Sequence, residues 1–138
     1  MLFKGHVHNS GVEHAAEVAI GDKRMVMPIA ARASGHGSSV SGGELLMLAL
    51  ATCYCNDVYR EAARMGIEVA DIDVECSADF AAEGAAASDV VYSAKISAKA
   101  SEARIRELAE KVDGLAEIHN TVRAAIPVKL GAVEIVSL

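Results

Sequence analysis

The sequence has no tryptophan, two prolines, three cysteines and only 4% aromatic residues. Large side chains are therefore scarce, and 26 of the 138 residues are alanine, so the 52% hydrophobic content overstates the area a core can bury per residue. Basic residues are also few: 13 Lys and Arg stand against 19 Asp and Glu, a formal net charge of −6. That balance argues against nucleic acid as a partner, because phosphates demand clustered Lys and Arg. Long hydrophobic runs are missing as well. The longest, Leu45 to Ala51, falls far short of the roughly 20 residues that span a bilayer, and no basic stretch followed by an apolar core begins the chain as in an export signal. The expectation is a cytoplasmic protein with no membrane partner. An odd number of cysteines without an export signal points to reduced thiols rather than a disulfide framework.

What is present suits one globular domain over residues 1–138, at ~150 residues per domain and 23% charged residues. A small-residue core of this size gains from sharing its interior with a partner subunit. The first forty residues read as a β-meander, in which Glu17–Ile20 and Lys23–Met27 flank a Gly21-Asp22 hairpin turn. The run ASGHGSSVSGG, Ala33 to Gly43, is loop chemistry. Glu44 to Arg64 is rich in Leu, Met, Ala and Glu and ends before Gly66, which predicts a long helix with a left-handed glycine cap.

The first half of that helix, through Leu45, Leu48, Leu50 and Cys53, has no polar face and is expected to be buried on every side. The second half, Asn56 to Arg64, turns amphipathic and is expected to emerge toward solvent. Ile72, Val74, Cys76, Ala78 and Phe80 alternate with acidic and polar residues, and Val90 to Lys99 alternates likewise with Lys95 and Lys99 outward. These read as two strands of an antiparallel hairpin with lysines set against the acidic row. Ser101 then caps a helix through Ile105, Leu108 and Val112 that ends at Gly114. A short helix with Leu115, Ile118 and Val122 follows, and after Pro127 a final strand runs from Val128 to Val136.

Cys53 and Cys55 lie about 200° apart around the helix axis and cannot bond each other there. Cys76 reads as a core residue. A reactive Cys53 requires a neighbouring cation, because it sits too deep in the helix for the terminal dipole to matter. The five histidines, His6, His8, His14, His36 and His119, read as exposed strand and loop residues and offer no spacing that closes a zinc tetrahedron. GHGSSVSGGE lacks the lysine of a phosphate loop, and no G-x-S-x-G elbow is present. No cofactor or metal is called for.

The segment SGGELLMLALATCYCNDVYREAARMGIEVADIDVECSADF resembles the OsmC-like family, which includes the osmotically inducible and organic hydroperoxide resistance proteins. In that family an E-L-L helix start is followed nine residues later by the reactive cysteine, as Glu44 is here by Cys53. The order of elements agrees too, down to a closing strand that opens with Pro127-Val128. The resemblance implies an α+β OsmC-like fold: N-terminal β-meander, long buried central helix, β-hairpin, two short helices and C-terminal strand, in an intertwined homodimer with active sites at the interface. It further implies reduction of small organic hydroperoxides by a cysteine thiolate that becomes a sulfenic acid and is reduced by thiols.

Three positions depart from the family's pattern. Ala116 stands where the second, resolving cysteine belongs, so the reductant would be an external thiol or, after rearrangement, Cys55 or Cys76. The family's glutamate falls at Gly43, one before Glu44. Its meander arginine has no equivalent in NSGVEH, leaving Arg32, or more distantly Arg24, to supply the charge. Cys53, Glu44 and Arg32 are thus the expected catalytic set. The alternatives are a related dimer that binds a small apolar ligand or thiol substrate in its interface cleft without peroxidase chemistry, and a structural module in which the cysteines merely pack.

Overall fold

The computed structural model describes residues 1–11, 13–136 and 138. Two compact units divide the chain, Met1–Met47 and Leu48–Leu138. The first holds a three-stranded antiparallel meander, β1 (Phe3–Ser10), β2 (Glu13–Ile20) and β3 (Lys23–Met27), in the order β1-β2-β3. The expected hairpin is present: Ile20 pairs with Lys23, and Gly21 takes the turn at φ 55°, a conformation open to glycine without a Cβ penalty.

Helix α1 (Gly42–Met65) starts in the first unit and continues into the second. Its start is a capping box that the S-x-x-E pattern encodes: the Glu44 N–H donates to Ser41 Oγ at 3.2 Å, and the Ser41 N–H donates to Glu44 Oε2 at 2.8 Å. Its end is a Schellman closure. Gly66 at φ 67° donates its N–H to Ala63 O, and the Ile67 N–H reaches Ala62 O.

In the second unit β4 (Glu68–Asp79) and β5 (Ser88–Lys99) form the expected antiparallel hairpin. Glu68 faces Lys99, with Nζ 2.6 Å from Oε1, and Asp73 faces Lys95. Phe80 lies beyond the strand and is exposed rather than on the core face. Helix α2 (Glu102–Leu115) is capped by Ser101, whose hydroxyl accepts from the Arg104 N–H, and passes through Gly114 to include Leu115. Helix α3 (Glu117–Arg123) follows with Ala116 as the hinge between them. Tyr54, Val58 and Ala62 of α1, Ile67, and Leu108 and Val112 of α2 make the core, against Ile72, Val74, Tyr92 and Ile96 of the hairpin.

Three expectations are corrected. The burial of α1 is not divided as expected: in the first half Leu45 and Leu48 are exposed while Leu50 and Tyr54 are buried, and in the second half Asp57, Val58, Glu61 and Ala62 are buried because α2 and the hairpin cover them. The last stretch, after Ala125, contains no strand among the described residues. Val128 is 99% exposed, and a strand forms only where another strand accepts its ladder. His119 is buried rather than exposed. No helix among the described residues is long and apolar enough to cross a membrane.

Candidate active site around Cys53

Cys53 lies in α1 one turn before Asp57, and the i, i+4 spacing brings the two side chains together. The half-buried thiol donates to Asp57 Oδ2 at 3.7 Å, and Glu117 Oε2 of α3 lies 4.0 Å from the same sulfur. Each carboxylate turns its other oxygen to one cation. Arg60 Nη1 is 2.7 Å from Asp57 Oδ1 and 4.0 Å from Glu117 Oε1. The sulfur and the two carboxylates offer ligand-type atoms all within 4.8 Å of one another. Arg60 and the thiol hydrogen bond account for that clustering.

The electrostatics follow from this arrangement. Burial pushes the Cys53 thiol up, the Ile118 backbone N–H opposes that, and the charges of Asp57 and Glu117 push it further up. The cation expected at the sulfur is, within this unit, one carboxylate removed: Arg60 pairs with the acids and not with Cys53. Asp57 is nearly fully buried, and burial raises its own pKa against the opposing pull of Arg60. A carboxylate so raised is a stronger base. The arrangement sets a carboxylate acceptor at the Cys53 thiol, with Arg60 balancing its charge, and favours the protonated thiol.

Further along α1, Glu61 is 1% exposed yet ringed by cations, Arg64 at 2.6 Å, Arg60 at 3.1 Å and Lys111 of α2 at 3.1 Å. These partners hold its carboxyl below the usual range, the Lys111 hydrogen bond most of all. The contact ties α1 to α2 and fixes the helix that presents Cys53. Asp57, Arg60 and Glu117 escaped the reading of the sequence; the spacing Cys53, Asp57, Arg60 on one helical face is a signal for the first two, and none marks Glu117.

The other expected site residues are placed as follows. Glu44 is bound into the capping box, where the Ser41 N–H holds its carboxyl below the usual range. Arg32 is exposed in the loop before α1, its N–H bonded to Gly37 O. Both belong to the first unit, as does Arg24, which pairs with Glu17 at 2.8 Å. Cys55 turns away from Cys53 and lines a groove with Thr52 and Val74. Ala116 is fully buried and directly precedes Glu117, so the place of the missing second cysteine adjoins the residue that reaches Cys53.

A family model for OsmC-like proteins matches residues 35–131. Among solved structures the chain is similar to an OsmC-like protein from Mycoplasma pneumoniae, with a TM-score of 0.59 at 16% identity over 87% of each chain. It is also similar to an OsmC-like hydroperoxide resistance protein from a Jannaschia species, with a TM-score of 0.54 at 17% identity over 95% of this chain and 94% of that one. A third is the organic hydroperoxide resistance protein OsmC from Legionella pneumophila, with a TM-score of 0.54 at 17% identity over 88% of each. Identities this low show a shared fold. No curated protein matches the chain in sequence.

Proposed function

This chain belongs to the OsmC-like family, and we propose that it reduces small organic hydroperoxides through Cys53, as a homodimer that draws on an external thiol of the cytoplasm. The observation that carries this reading is the Cys53 thiol bonded to the buried carboxylate of Asp57, with Arg60 behind it. The names of the Jannaschia and Legionella proteins agree with a role in peroxide resistance.

The Cys53 proton passes to Asp57 Oδ2, and the thiolate sulfur attacks the distal peroxide oxygen. The O–O bond breaks, the alkoxide takes a proton and leaves as an alcohol, and Cys53 becomes a sulfenic acid. With Ala116 in the second position, an external thiol attacks the sulfenic sulfur and releases water. A second equivalent restores the Cys53 thiol and leaves an oxidised dithiol. Glu44 and Arg32 stay in the proposed set on the family resemblance alone.

The raised thiol supports a second reading, a dimer that binds a small apolar molecule without turnover. One equivalent of cumene hydroperoxide with dimedone present separates the two. The peroxidase yields a dimedone adduct on the Cys53 peptide; an unmodified Cys53 leaves the binding reading.

A further inference from the structure

Both ring nitrogens of His119 lack a protein partner, although the residue is only 4% exposed. A neutral imidazole carries one N–H donor and one bare acceptor, and native structures rarely leave such a pair unmet away from water. Burial, first, and the nearby Arg123 charge lower the His119 pKa, so the ring is the neutral form that has this unmet pair. The polar groups around it are committed elsewhere. The Tyr92 hydroxyl donates to Asp113, and Arg123 gives Nη2 to Asp113 Oδ1 at 2.5 Å and Nη1 to Asn120 Oδ1 at 3.2 Å. Tyr92 meets the imidazole only as a ring, edge-on at 4.6 Å between centroids.

His119 also forms part of the wall of a partly open cavity of about 250 Å³ lined by α1, the hairpin and α3. Leu50 and Val122 give it apolar sides, and Cys76 adds a thiol. The volume is under the ~300 Å³ at which drug-sized sites begin, so a small molecule fits. Its one cation, Arg123, is neutralised by Asp113, so the cavity offers an anion no uncompensated charge. We infer that this cavity binds a small, uncharged, largely apolar molecule bearing one hydroxyl or hydroperoxyl group, whose polar end pairs with His119. Organic hydroperoxides and their alcohols are of this class, so the inference extends the proposed function to ligand recognition, yet it holds with or without turnover at Cys53.

The test uses the full-length Cys53→Ser protein, with 2-phenyl-2-propanol as probe and cumene, the same skeleton without the hydroxyl, as control. Alkylation of Cys76 by iodoacetamide, followed by peptide mass spectrometry, is the readout, and Cys55 is the internal reference. The alcohol is expected to slow Cys76 alkylation and leave Cys55 unaffected. Half-protection should come at about tenfold lower concentration than with cumene, the worth of one hydrogen bond. In His119→Phe the two probes should become equal. If that variant does not fold, the comparison of alcohol with cumene in the parent still decides. No protection of Cys76, equal protection by both probes, or equal protection of Cys55 overturns the inference. Because Cys53 is absent from this test, its failure leaves the dimedone experiment standing, and the reverse holds.

Discussion

A thiol between two carboxylates holds its proton more firmly than a free one, and the charges around Cys53 make that quantitative. Glu117 is exposed and lies 4.0 Å from the sulfur; at that range two charges interact by about 1 kcal/mol in water-like surroundings. Glu117→Gln removes a negative charge, so the Cys53 pKa falls and alkylation at pH 7 should quicken about fivefold. A pH profile of iodoacetamide labelling checks this, and an unmoved profile excludes Glu117 from setting the thiol. His119 offers a second test. Its folded pKa lies below the ordinary histidine value of 6.5, so on acidification the unfolded chain takes up the proton first. The stability it contributes is complete above 6.5 and declines as the pH falls below that toward the folded pKa. His119→Phe keeps a ring and removes two unmet polar atoms; it should raise stability by ~1–3 kcal/mol and flatten the loss between pH 7.5 and 5.5. Thermal unfolding of both proteins at the two pH values measures it.

Helices α1 and α2 meet through Leu108, which is fully buried with Val58 and Val112. Leu108→Ala should cost ~3 kcal/mol, and in a domain with so few large side chains the urea midpoint should fall accordingly. The start of α1 rests on a smaller effect: Ser41→Ala removes the acceptor for the Glu44 N–H and should cost ~1 kcal/mol. Period-two alternation in β4 and β5, the Ser101 cap and the Gly66 stop were all legible in the sequence, because each is a local rule written in neighbouring residues. The burial of α1 was not. Its first half is apolar all round and its second half has an apolar stripe, and periodicity does not say which surface the same chain will cover. Asp57 and Glu61 sit inside only because Arg60, Arg64 and Lys111 accompany them, and Lys111 arrives from another helix. For the same reason the sequence singles out Cys53 as a candidate through its interval from Glu44, but gives no sign of Glu117, 64 residues on.

At the scale of the whole molecule, one chain leaves apolar surface that water does not tolerate. Leu48 is 58% exposed, and Leu130 and Ile135 are 89% and 84% exposed in a closing stretch that has no strand pairing among the described residues. Large apolar side chains left exposed in this number favour an interface, and an extended segment can complete its backbone hydrogen bonds on another sheet edge. The expected outcome is a homodimer in which these residues are covered by a second copy, with folding and association linked. Sedimentation at micromolar concentration should give twice the chain mass, and Leu48→Lys should shift the equilibrium toward monomer with loss of helical circular dichroism. The linkage makes dilution the decisive experiment: if the dimer supplies the cover, helical signal and mass fall together as concentration drops. A monomer that keeps its full helical signal at nanomolar concentration would mean that one copy suffices, and the exposed face of α1 would then have to be met by something other than this chain.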